Sequence, residues 1–336
     1  MTRNDVERPP TPIRKAQRSA SNETIVRANG VDLCVQTFGD PGDPAILLIH
    51  GAATSMHGWE WEFCERLAAG PRYVIRYDHR DTGRSVSYAP GAPQYTLRDL
   101  AADAVALIDV FSLDSAHLVG RSMGGGVAII ASIDFPDRVA SLTLIGTSPG
   151  GPDLPPMSEE FLAYVGGAET PDWSDPTAVI DHIIDLLRLY SGGSGHFDEA
   201  TMRDLVAQEI DRTVNIASSQ INHFAMGVGA PFRDRLKTIN VPTLVVHGTQ
   251  DPVFPLGHAL ALVEEIPDAR LLTLEQTGHE LPRAAWDVVI PAIVRHTARA
   301  PSVSLGTRAP LLGETNECDH PKNAGAARSR STAGQQ

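Results

Sequence analysis

The chain has 336 residues, 42% hydrophobic and 21% charged, which is enough to bury a large core as one domain with an insertion. It contains no run of about 18 apolar residues, so a membrane span is not expected, and the N-terminal MTRNDVERPPTPIRKAQRSASN lacks the apolar segment of a secretory signal. The arm 1–22 carries five basic against two acidic side chains and the tail 301–336 four against three, so the net charge of −13 is concentrated as −17 in the body between them. An acidic body repels phosphate backbones, and nucleic acid is not an expected partner.

Both ends are rich in Pro, Ser, Gly and Arg without periodicity and read as disordered. Between them, ETIVRA and DLCVQTFG, split by Asn29-Gly30, read as a hairpin, because Asn-Gly suits the positive φ angles of a tight turn. Continuous apolar runs follow at 45–50, 73–78, 116–120 and 142–146, and again at 243–248 and 270–275. Such runs fit strands covered on both faces. Helical periodicity fills 60–69, 96–112, 123–134, 257–265 and 284–297. The alternation predicts an α/β fold, a mostly parallel sheet with helices on both faces.

One interval breaks the rhythm. From 149 to 235 no strand pattern stands out, and TAVIDHIIDLLRLY and EATMRDLVAQEIDRTVNIASSQINHF have helical character. The expected organisation is a core of 23–148 and 236–300 with a helical cap or lid of 149–235, placed where such sheets bind ligands.

Gly120-Arg121-Ser122-Met123-Gly124 lies between the strand AHLVG and the small-residue stretch GGVAIIAS. A sharp strand-to-helix turn exposes a serine hydroxyl, and small residues on either side avoid a clash. No Gly-Lys-Ser/Thr follows, which argues against a phosphate loop. A serine needs an imidazole to take its proton, and the imidazole needs a carboxylate to fix its tautomer. Asp251 follows the strand TLVVHG and His279 follows RLLTLE, both at strand ends and in the chain order serine, acid, base. Helix capping by Asp251 and an ordinary loop role for His279 are the competing uses. His50-Gly51-Ala52-Ala53 ends an earlier strand, so the N–H groups of Ala52 and Met123 are the expected oxyanion donors. His50 is expected to brace the loop, and His247, within a strand, to be structural.

Together these motifs resemble the α/β-hydrolase superfamily over roughly 24–297. The segment Asp78-His79-Arg80-Asp81-Thr82-Gly83-Arg84-Ser85 is similar to the Asp-x-Arg-Gly-x-Gly-x-Ser loop of that superfamily, with Asp81 in place of the usual glycine. In the superfamily this loop is structural. With Ser-Met-Gly at the nucleophile and Gly-His-Glu-Leu-Pro at the base, the pattern looks like aclacinomycin methylesterase and its bacterial relatives. The resemblance implies an esterase acting on a small-molecule ester, a methyl ester or lactone among the candidates, through an acyl-enzyme. It implies no metal or organic cofactor.

Trp59, Trp173, Tyr190 and Phe224 are aromatic candidates for a substrate pocket, with plain packing as the alternative. Of these, Trp59, Trp173 and Phe224 are taken as substrate-binding. Perhydrolysis and acyl transfer use the same acyl-enzyme and stay open, as does a non-catalytic receptor on the same fold. Cys34, Cys64 and Cys318 have no metal-ligand spacing and cannot all pair, which fits a reduced, cytoplasmic protein. Nothing in the sequence sets an oligomeric state.

Overall fold

The computed structural model describes residues 23–298. The expected disordered arm (1–22) and tail (301–336) lie outside the described residues, as does Cys318. Eight strands form one sheet in the order β1-β2-β4-β3-β5-β6-β7-β8. They are β1 (Thr24–Ala28), β2 (Val31–Phe38), β3 (Ala45–Ile49), β4 (Tyr73–Tyr77), β5 (Ala116–Arg121), β6 (Val139–Ile145), β7 (Thr243–Gly248) and β8 (Arg270–Leu274). The β1–β2 and β2–β4 pairs are antiparallel and the remaining five are parallel. At the hairpin, Asn29 has φ 45° and Gly30 φ 75°, the left-handed pair that a two-residue turn requires.

Strand periodicity explains the double apolar coverage. Along β3, Ile46 and Leu48 face helices α1 (Trp61–Ala68) and α9 (Trp286–Thr297), where Phe63, Leu67, Val289 and Ile293 meet them. Leu47 and Ile49 face the other side. There α2 (Leu97–Val110), α3 (Met123–Asp134) and α8 (Gly257–Glu265) supply Leu100, Ile108, Val127, Ile130 and Leu262. Each fully buried aliphatic side chain contributes about 1.5–3 kcal/mol relative to exposure.

Between β6 and β7 stand α4 (Glu159–Gly167), α5 (Pro176–Tyr190), α6 (Glu199–Arg212) and α7 (Ile216–Ala225). A separate apolar cluster of Val179, Ile183, Ile184 and Val206 joins α5 to α6. The single helical stretch expected over 199–224 is two helices. Val214 N–H donates to Gly83 O at 2.8 Å, outside the helix ladder, and Asn215 restarts the chain by accepting from Ser218 N–H at 3.1 Å. Helix α4 was not separately anticipated. It starts where Ser158 Oγ accepts from Phe161 N–H and ends at Gly166-Gly167.

No helix among the described residues is long and apolar enough to cross a membrane.

Candidate active site

Ser122 sits on the turn between β5 and α3 with φ 52° and ψ −123°. That conformation costs on the order of 1–3 kcal/mol and persists because its surroundings over-determine it. Ser122 N–H donates to Ile145 O at 2.9 Å. Its carbonyl accepts from Gly125 N–H at 2.8 Å and from Thr147 Oγ1 at 2.7 Å. The two flanking glycines are required by close approach. A Cβ on Gly120 would lie 2.2 Å from Gly124 O, and one on Gly124 would lie 2.2 Å from Ile49 O.

The other two expected residues meet this serine. His279 Nε2 is 3.0 Å from Ser122 Oγ, and His279 Nδ1 is 2.8 Å from Asp251 Oδ2. The second carboxylate oxygen of Asp251 accepts from the N–H groups of Val253 (2.8 Å) and Phe254 (2.9 Å) and so holds the turn after β7, while the next helix starts only at Gly257 with Leu256, not Asp251, at its N-cap. Burial works to raise the Asp251 pKa. The charge and hydrogen bond of His279 and the Phe254 N–H outweigh it, and hold the carboxyl below its ordinary value.

The backbone of His279 is fixed on both sides, its N–H donating to Tyr190 O at 2.7 Å and its carbonyl accepting from Arg121 Nη2 at 3.1 Å. His247 donates through Nε2 to Phe254 O at 2.6 Å, with the same nitrogen 3.6 Å from Asp251. Glu280 turns from the serine and accepts from Ser194 Oγ at 2.7 Å. Asp287 pairs with Arg66.

The loop after β3 lies against the serine. A Cβ on Gly51 would be 3.2 Å from Ser122 Cβ. The Met123 N–H is at the first position of α3, where no intrahelical acceptor exists. Neither it nor the Ala52 N–H makes a hydrogen bond to the described residues. His50 is buried beside this loop, its carbonyl accepting from His79 Nε2 at 3.1 Å. Burial, with the charge of Arg121, drives the His50 pKa well below its usual value, so the ring is neutral.

The segment 78–85 braces the same end of the sheet. Asp78 accepts from Met56 N–H and Arg84 N–H, and pairs with Arg212 of α6 at 2.9 Å. Arg80 clasps Asp103 through two bonds of 2.7 Å. Asp81, standing where the motif has glycine, adopts φ 68°. Its carboxylate accepts from Tyr88 N–H, the Tyr95 hydroxyl and Asn222 Nδ2. Aspartate tolerates the left-handed region better than most residues, and here it also ties α7 to the sheet.

Above Ser122 opens a cavity of about 630 Å³. Its wall is largely apolar, with Phe161, Ile183, Leu187, Phe197, Met202 and Val206 supplied by the β6–β7 interval, and it reaches Ser122, His279, Ala52 and Met123. Phe224 lies on the wall, 64% exposed. Trp59 does not. It is 2% exposed and, just before α1, is stacked in the core on Phe63 of that helix with centroids 5.4 Å apart. Trp173 also lies off the wall, its ring packed against His182 of α5 at the side of the small helical cluster. Tyr190 and Phe254, with rings 5.1 and 5.5 Å from the His279 ring, take the position expected of the tryptophans. Phe254 was legible only as the third residue after Asp251. Arg121, the residue before the serine, also reaches the cavity.

A family model described as the alpha/beta hydrolase fold matches residues 44–282. The chain is 33% identical over 297 residues to the rhodomycin D methylesterase DauP of Streptomyces sp. strain C5, covering 82% of this chain and 98% of that protein. It is 32% identical to the rhodomycin D methylesterase DnrP of Streptomyces peucetius, with the same coverage. Among solved structures it is similar to the esterase RhEst1 from Rhodococcus sp. ECU1013, with a TM-score of 0.66, 22% identity, and 83% and 99% of the two chains covered. The sheet order, the strained serine and the extent of these matches lead to one conclusion: the chain belongs to the α/β-hydrolase fold family.

Proposed function

We propose that this protein is a carboxylic ester hydrolase working through an acyl-enzyme, with Ser122 as nucleophile, His279 as base and Asp251 as the group that orients the base. The observation that carries this reading is the unbroken hydrogen-bonded file Ser122–His279–Asp251 at the base of the cavity. His279 takes the Ser122 proton as Oγ bonds to the ester carbonyl carbon, and the oxyanion accepts from the N–H groups of Ala52 and Met123. Collapse of the tetrahedral adduct breaks the bond to the alkoxy oxygen, which leaves with the proton held by His279. Water, deprotonated by His279, then attacks the acyl-enzyme, and Ser122 recovers its proton. Asp251, held ionised, balances the imidazolium at both steps. The departing alcohol thus carries off the serine proton, and water replaces it.

The substrate in this reading is a methyl ester of a bulky, largely aromatic metabolite. Two relatives are named for methyl-ester cleavage of rhodomycin D. A cavity of about 630 Å³ falls in the range that encloses drug-sized ligands, and Phe161, Phe197, Phe224, Phe254 and Tyr190 offer aromatic faces to a planar ring system. Helices α4–α7 serve as the lid, since Phe161, Ile183, Leu187, Met202, Val206 and Phe224 on them line the cavity. A cytoplasmic location belongs to the same reading, supported by Cys34 and Cys64, which are buried free thiols.

The test is labelling by a fluorophosphonate together with a panel of esters. Labelling at Ser122 and methanol release from polycyclic aromatic methyl esters are expected, at kcat/KM above that for short p-nitrophenyl esters. Absence of labelling overturns the nucleophile. A preference for short acyl esters overturns the substrate class.

A further inference from the structure

The loop that carries Ala52 is held from the opposite side of the cavity. Ala53 has φ 58°, a left-handed conformation that costs an alanine roughly 1–2 kcal/mol. Both of its backbone polar groups are taken by α7. Ala53 N–H donates to His223 Nδ1 at 3.0 Å, and Ala53 O accepts from Gln220 Nε2 at 2.8 Å. Two residues on, the N–H and hydroxyl of Ser55 both donate to the carboxylate of Glu209 on α6. Within the loop itself the corresponding contact is a single long bond, Thr54 Oγ1 to Ala52 O at 3.4 Å.

His223 is itself set for this task. It is 5% exposed, and its Nε2 lies 2.9 Å from Arg80 O. A carbonyl can only accept, so Nε2 carries the proton and Nδ1 is left bare to receive the Ala53 N–H. Arg80 is pinned by its two bonds to Asp103, so the chain of contacts ends on helix α2. Burial pushes His223 down to about 4 and keeps the ring neutral near pH 7, so the acceptor persists.

We propose that His223 and Gln220 are positioning residues: by holding the two backbone groups of Ala53 they aim the neighbouring Ala52 N–H at the oxyanion of the transition state. The proposal rests on the reading of Ala52 as an oxyanion donor. It adds that the helices between β6 and β7 do more than enclose substrate, since they complete the hole that stabilises the tetrahedral intermediate. A donor aimed at developing charge acts on kcat, whereas a residue that only anchors the lid alters stability or KM.

The experiment compares His223→Leu, His223→Asn and Gln220→Leu with wild type. The probes are hydrolysis of p-nitrophenyl butyrate and inhibition by an alkyl trifluoromethyl ketone, whose serine adduct carries an oxyanion. Loss of a whole donor costs about 10²–10³ in kcat, so a misaimed one in His223→Leu is expected to cost about 10- to 100-fold, with KM within about threefold. Ketone affinity should fall in parallel. Asn places an oxygen near the Nδ1 position, so His223→Asn should stay within about threefold of wild type. Gln220→Leu should lose about 3- to 10-fold in kcat, and it carries the test by itself if His223→Leu does not fold.

Wild-type kcat and ketone affinity in a folded His223→Leu or, failing that, in Gln220→Leu overturn the proposal. So does a fall in Tm or a rise in KM with kcat unchanged. If instead Ser122→Ala keeps the wild-type rate or the ketone does not inhibit wild type, the underlying reading of the site has failed, whatever the lid variants do.

Discussion

The turn that carries Ser122 and the loop that carries Ala52 touch one another, yet they are held in different ways. The serine turn is built from its own neighbourhood: β5 leads in, α3 leads out, and Gly120 packs on Gly124 four residues away. Its long-range bonds run to β6 and its end, through Ile145 and Thr147. The loop at 51–55 instead depends on side chains more than 150 residues later, Glu209, Gln220 and His223. Both contain a strained residue, Ser122 at φ 52° and Ala53 at φ 58°. Strain needs a surrounding that over-determines it; the sheet provides that surrounding for one, and the helices between β6 and β7 provide it for the other.

The largest expected effect tests whether the serine turn carries the chemistry at all. Ser122→Ala should lower ester kcat by on the order of 10⁴ or more while leaving the circular-dichroism spectrum unchanged. Next comes Asp251→Asn, which keeps the shape but removes the charge that fixes the His279 tautomer. A loss of about 10³–10⁴ in kcat with KM nearly constant is expected from steady-state kinetics. A loss below tenfold would mean that the backbone bonds to Tyr190 and Arg121 suffice to orient His279.

Gly124→Ala addresses the packing of the turn. Its Cβ would meet the carbonyls of Ile49 and His50 at 2.2 and 2.4 Å, and backbone cannot yield as a side-chain tip can. A destabilisation of about 3 kcal/mol or more in urea unfolding is expected. Gly51→Ala should be milder, since its Cβ would sit 3.2 Å from Ser122 Cβ. A kcat loss of about tenfold with a Tm close to wild type would place the two regions in mechanical contact.

The smallest effect concerns acid. His223 and His117 are pushed down to about 4 and His79 to about 3, in each case chiefly by burial. The unfolded chain takes up these protons near pH 6.5, and the folded chain refuses them until pH 3–4. Stability is therefore fully present above about pH 6.5 and is lost as the pH falls towards 4, at up to about 1.4 kcal/mol per pH unit for each histidine. His79 and His223 stack edge-on behind the Ala52 loop, with Tyr95 against His223 and the Arg80 carbonyl on its Nε2. His50, His182 and His247 are lowered in the same direction, so removing one of six in His223→Asn should flatten the slope of urea midpoint against pH by about one sixth between pH 6 and 5. An unchanged slope would detach the acid response from this loop.

The sheet was legible in the sequence because a strand buried on both faces must be largely apolar, as β3 is throughout and as β4 and β7 are apart from Arg76, Thr243 and His247, and because Asn29-Gly30 encodes its own turn. The serine turn was legible for the same local reason. The residues expected at the base and acid positions could be named from strand ends and chain order, and Ser122, Asp251 and His279 fall within hydrogen-bonding distance. The pocket wall was not legible. Trp59 and Trp173 have the right chemistry, but stacking on Phe63 buries the first in the core and the packing against α5 holds the second to one side. The break at 213–215 was hidden because it answers to Gly83, a residue 131 positions earlier.

By itself, then, the sequence determined the strands, the serine turn and the order of the reacting groups, since these depend on periodicity and on contacts between near neighbours. Only the tertiary structure decided which aromatic rings face the substrate and what holds the Ala52 loop. Those depend on the orientation of α4–α7 over the sheet, which arises from contacts between residues far apart in the chain and leaves no local pattern to read.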